Sequence, residues 1–97
     1  MPALSASSSL KTYARNWAFY MADTNTFAHS DIGSLLGSWS TVGENIAWGW
    51  SVSSMHAALV NSPGHYANLT SGNFTHVGVG VWVESSGKIW TVHVFGG

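Results

Sequence analysis

The end of the chain alternates, and that alternation limits the fold more than any other feature. In THVGVGVWV, Val77, Val79, Val81 and Val83 interleave with His76, Gly78, Gly80 and Trp82; in KIWTVHVF, Trp90, Val92 and Val94 interleave with Ile89, Thr91, His93 and Phe95. Side chains two apart share a face of a strand, and the intervening ESSG at 84–87 is polar and carries a glycine. These features predict an antiparallel hairpin with strands over 76–83 and 89–95. Both faces of the hairpin carry apolar residues, so something must cover each side. An isolated hairpin is marginal in water, so the rest of the chain must supply that cover.

The first cover is legible from spacing. From Ser5 to about Ala22, Leu10, Tyr13, Ala14, Trp17, Ala18 and Met21 fall at i, i+3, i+4, i+7, i+8 and i+11. That is the stripe of an amphipathic helix, expected to pack on the sheet through Trp17 and Met21. Ser5 or Ser7 is the expected N-cap. Residues 23–51 are glycine-rich without a sustained period and read as loops, with short helical turns around Ile32–Leu36 and Glu44–Ala47. A second helix is expected from about Val52 to Val60, ended by Pro63. Helices over an antiparallel sheet make an α+β domain. At 97 residues, one core and one domain, 1–97, are expected.

Composition excludes several classes of function. Three basic and four acidic residues give a formal net charge of −1, leaving no Lys/Arg cluster to neutralise phosphates or hold an anionic bilayer. Nucleic acid is therefore not an expected partner. No apolar run is long enough to span a membrane, and no basic-then-apolar leader opens the chain. Cysteine is absent, so neither disulfides nor thiolate metal sites are available.

Glu44 lies in VGENIAWGW, an otherwise uncharged stretch. Its carboxylate either brackets a local turn by accepting backbone N–H groups, or faces a cleft and holds a histidine's tautomer or charge. His29 in FAHS and His65 in SPGH sit in loops beside small residues, where an imidazole can reach into a groove. His56 falls mid-helix, and His76 and His93 alternate within strands, where local hydrogen bonds account for them. Trp39, Trp48 and Trp50 serve either as core or as an apolar or carbohydrate-stacking wall. No HExxH, paired Cys/His spacing or GxSxG elbow occurs.

Four segments in order, LKTYARNWAFYMA, FAHS, GENIAWGW and NSPGHYANLTSGNFTHVGVGVW with its closing strand IWTVHVFG, resemble the CAP superfamily of cysteine-rich secretory, antigen 5 and pathogenesis-related proteins. The likeness is to its cysteine-free bacterial-type branch. It implies an α-β-α sandwich with a central antiparallel sheet, and a cleft where His29, Glu44 and His65 match family positions. Pro63-Gly64 would then turn the chain so that His65 faces His29. A second family glutamate matches Ser62 here, so one cleft carboxylate is missing. The family's usual first helix, with its asparagine and arginine, has no counterpart before PALSASSSLKTYA, and an apolar surface left uncovered would favour self-association.

The resemblance further implies an extracellular or cell-surface binding module. His29 and His65 would hold Zn²⁺ or another divalent transition metal that folding does not require, and the ligand would be a small apolar molecule, a lipid or a cell-surface glycan. The alternative it leaves open is a metal-assisted hydrolase in which Glu44 acts as base on metal-bound water.

Overall fold

The computed structural model describes residues 5–51 and 74–97. Strand β1 (Ser5–Ala6) leads into helix α1 (Ser8–Thr24); a 3₁₀ helix (Ile32–Gly37) precedes β2 (Val42–Gly49), and β3 (His76–Val83) and β4 (Ile89–Gly96) close the chain. The strands lie in the order β1-β3-β4-β2. β4 is flanked on both sides by antiparallel neighbours, Trp90 pairing with Trp82 on one side and Trp48 on the other. The two-residue β1 adds a parallel bridge to the start of β3. The expected helix at 52–60, together with His56 and His65, lies outside the described residues.

The predicted hairpin forms with its turn where the sequence placed it. Gly87 adopts φ +94°, the left-handed region that favours glycine, and its N–H donates to Glu84 O at 2.9 Å. Ser7 caps α1, its hydroxyl accepting from the amide of Leu10 at 3.3 Å. Asn25 ends the helix in a left-handed conformation, with bonds from Asn25 N to Ala22 O and from Thr26 N to Met21 O. That paired pattern is a Schellman closure, which turns the chain sharply back.

One expectation is corrected here. Residues Glu44–Ala47 form no helical turn; they lie in the eight-residue strand β2, paired with β4 along its whole length. Glu, Asn and Ala are poor strand formers, but tertiary pairing overrides that preference. The usable signal was one of size: in VGENIAWG the larger Val42, Glu44, Ile46 and Trp48 alternate with Gly43, Asn45, Ala47 and Gly49.

Helix α1 packs on one face of the sheet. Leu10, Ala14, Ala18 and Met21 bury against Ile46, Trp90, Val92 and Val94. Met21 is fully buried, whereas Trp17 is only half-buried at the margin of this cluster. Gly78 and Gly80 stand on the same face, and a Cβ on either would overlap backbone atoms of α1, at Leu10–Lys11 and Ala14–Arg15 respectively. Further along, the ring of Phe19 meets that of Trp82 at 4.7 Å. Each step of four helix residues, about 6 Å, thus matches two strand residues, about 6.6 Å, so α1 and β3 run parallel and stay in register.

On the opposite face Asn45, Ala47, Thr91 and Phe95 are buried, so both faces of β4 are covered. Val79, Val81 and Val83 on β3 remain exposed, so cover on that face does not extend along the whole hairpin. Trp48 and Trp50 are likewise exposed and are not core residues, whereas Trp39 is half-buried and packs against the core.

Gly80→Ala should destabilise the domain by about 3 kcal/mol, the upper part of the usual overpacking range, because the obstacle is helix backbone that cannot rotate away. Gly37 has open space around it, so Gly37→Ala should change stability by less than about 0.5 kcal/mol. Urea denaturation of both variants checks the pair; equal effects would contradict the close helix–strand approach.

Candidate functional site

The site begins with two aromatic side chains on α1 that carry polar tips. Trp17 and Tyr13, four residues apart, project from the same side of the helix. The indole N–H of Trp17 donates to Ala28 O at 2.9 Å, and the hydroxyl of Tyr13 donates to Ser30 Oγ at 2.8 Å. The chain after the Asn25 closure is thereby fastened alongside α1 at two points, on either side of His29.

Glu44 meets this loop from β2, a strand fixed along all eight of its residues by pairing with β4. Its Oε1 accepts from His29 Nδ1 and from the backbone amide of Ser30, each at 2.8 Å, and Oε2 accepts from Ser30 Oγ at 2.5 Å. A carboxylate oxygen only accepts, so His29 Nδ1 carries the proton in this contact. The Glu44 side chain is 0% exposed and that of His29 62% exposed. Burying a carboxylate is costly unless its oxygens are satisfied, and the three donors from His29 and Ser30 meet that requirement. Tyr13, Ser30 and Glu44 form a relay of hydrogen bonds in one direction, an arrangement whose members polarise one another.

Glu44 brackets no local turn: the backbone N–H it accepts is that of Ser30, from the loop after α1, and the same oxygen contacts His29. His29 and Glu44 come together, while His65 lies outside the described residues. His76 is elsewhere, its Nδ1 2.8 Å from Thr75 Oγ1 and its ring beside Trp39. Tyr13 and Ser30 were not singled out by sequence reasoning. Tyr13 looked like one more member of the apolar stripe, and the only hint for Ser30 was its place next to His29.

With its Nδ1 held by Glu44, His29 presents Nε2 for any metal or ligand, the arrangement in which a carboxylate orients a metal-binding imidazole. Among the described residues, no group of three or more His, Cys, Asp or Glu side chains is placed to hold a metal. No helix among them is long and apolar enough to cross a membrane.

Residues 1–95 match the cysteine-rich secretory protein family, CAP, and the chain belongs to that family. A 60-residue stretch is 48% identical to the uncharacterized protein YkwD of Bacillus subtilis (strain 168), covering 61% of this chain and 23% of that protein. The chain thus spans well under half the length of that relative. The fold also matches an outer surface protein from Borrelia burgdorferi, with a TM-score of 0.89 at 20% identity over 99% of this chain and 78% of that one.

Ser30→Ala removes a donor from an enclosed carboxylate and should cost about 1–3 kcal/mol, while Tyr13→Phe should cost about 1 kcal/mol. Because Tyr13 acts on Glu44 through Ser30, the double variant should lose less than the sum. Denaturation of the three variants measures the coupling, and strict additivity would show that the relay does not act as a unit.

Proposed function

We propose that the chain is an extracellular or cell-surface CAP binding module whose cleft, centred on His29, holds a divalent transition metal or a small ligand. The contact between Glu44 and His29 carries this reading. It fixes the ring orientation and tautomer and directs Nε2 outward, which is the preparation an imidazole ligand needs. His65, by family resemblance, supplies the second nitrogen. An N-donor pair of this kind suits Zn²⁺, Cu²⁺ or Ni²⁺ rather than Mg²⁺ or Ca²⁺, and a cation held there would be the electrophilic anchor for a ligand. The CAP family and the surface-protein neighbour support the location.

The hydrolase alternative needs Glu44 to act as base on water. Its enclosed carboxylate, with both oxygens already accepting, fits an orienting role better than proton transfer to a bound water. The exposed valines of β3 are the surface on which self-association would be sought.

Calorimetric titration with Zn²⁺ should show modest affinity, with Mg²⁺ and Ca²⁺ giving no heat. His29→Ala and His65→Ala should each remove binding, and Glu44→Gln should weaken it by about 10- to 100-fold, the usual effect of losing an orienting partner. Affinity should fall on acidification, because protons compete for the imidazoles. Zinc binding that survives in the His29/His65 double variant would refute the site. Metal-dependent cleavage of a peptide or ester library, abolished by Glu44→Gln in a folded protein, would establish the hydrolase instead.

A further inference from the structure

A second cleft lies away from His29, on the flank of α1 beside β3. It encloses about 340 Å³ and is lined by Thr12, Arg15, Asn16, Phe19 and Trp82, a volume within the range of small-ligand sites. Its position follows from the close approach at Gly80. Where the strand carries no side chain, the helix backbone at Ala14–Arg15 sits directly on it. Two residues further on, Trp82 rises beside the helix and meets Phe19, and the cleft lies against this pair of rings.

The lining is unusual for so uncharged a chain. Arg15, one of three basic residues, makes no hydrogen bond or ion pair among the described residues, nor does the carboxamide of Asn16, and no carboxylate lines the cleft. Phe19 and Trp82 are 45% and 41% exposed, with rings edge to face at an interplanar angle of 72°. The site therefore offers a flat aromatic surface, a planar guanidinium that matches a carboxylate, and amide and hydroxyl groups beside them.

We infer that this cleft binds an acidic saccharide, a sugar ring carrying a carboxylate. The C–H face of the pyranose stacks on Trp82, Arg15 takes the carboxylate through paired N–H donors, and Asn16 and Thr12 meet ring hydroxyls. A fatty acid would set methylenes against Asn16 and Thr12, and a neutral sugar would leave the guanidinium without a partner. This site is independent of the His29 cleft.

Trigalacturonate, galactotriose and indole-3-acetate serve as probes, read by tryptophan fluorescence and by the shift of the Trp82 indole N–H in NMR spectra. Trigalacturonate should bind and move the Trp82 signal, galactotriose should bind at least about tenfold more weakly, and EDTA should have no effect. Arg15→Gln, at an exposed helix position, should weaken trigalacturonate by about tenfold or more, whereas Lys11→Gln, which lies outside the cleft, should not. Trp82→Ala should abolish the interaction; if that variant does not fold, the Arg15→Gln result and the wild-type Trp82 shift decide. Absent trigalacturonate binding, equal binding of galactotriose, tighter binding of indole-3-acetate, or equal losses in the Arg15 and Lys11 variants would each overturn the assignment.

Discussion

The packing of α1 onto Gly78 and Gly80 is the constraint on which the rest depends. A helix resting on side chains stands well clear of a sheet, but here its backbone touches the strand, and the distance and direction are fixed together. Two glycines at i and i+2 meet helix positions four residues apart, so sliding α1 by one residue would drive a side chain into backbone. That lock sets where Tyr13 and Trp17 project, and through them where His29 is held. It also sets the position of the cleft lined by Phe19 and Trp82. The two candidate sites are thus positioned by one helix–strand contact, although they share no residues.

Glu44 illustrates a different constraint. A carboxylate pointing into the helix-facing side of a sheet, paired with Val94, is tolerable only if donors arrive from another element. The loop after α1 brings them, and its placement depends on Asn25 reversing the chain and on the Tyr13 and Trp17 anchors. Cost and function are linked in this arrangement: the requirement to satisfy Glu44 is what holds the imidazole still.

Period was the strongest signal in the sequence, and it placed α1 and the hairpin close to their observed limits, with Ser7 correctly among the N-cap candidates. Strand β2 escaped because hydrophobicity does not alternate in VGENIAWG, where Glu44 occupies an inward position normally held by an aliphatic residue. The parallel bridge of β1 was not legible either, since two exposed residues, Ser5 and Ala6, carry no pattern. For the site, residue type drew attention to His29 and Glu44, but the contact between them depends on loop closure, which local spacing does not encode. Tyr13 was hidden because an apolar stripe and a hydroxyl donor can be the same residue.

The scarcity of charge gives the aromatic residues a second role. In a chain with 7% charged residues, few ion pairs are available to pin loops, and indole N–H groups do that work at two points. Trp17 holds the His29 loop through Ala28, while Trp90, buried under α1, donates to Glu84 Oε1 at 2.8 Å and so ties the hairpin turn to the core. Lys88, from the same turn, places its ammonium 4.2 Å from the ring centres of both Trp48 and Trp90, a cation–π arrangement across paired strands. An indole can be buried for its apolar area and still present one directional donor at its edge, so packing and fastening come from the same side chain. Against that economy Arg15 differs, because its guanidinium has no hydrogen-bond or ion-pair partner among the described residues and it lines the cleft that Phe19 and Trp82 share.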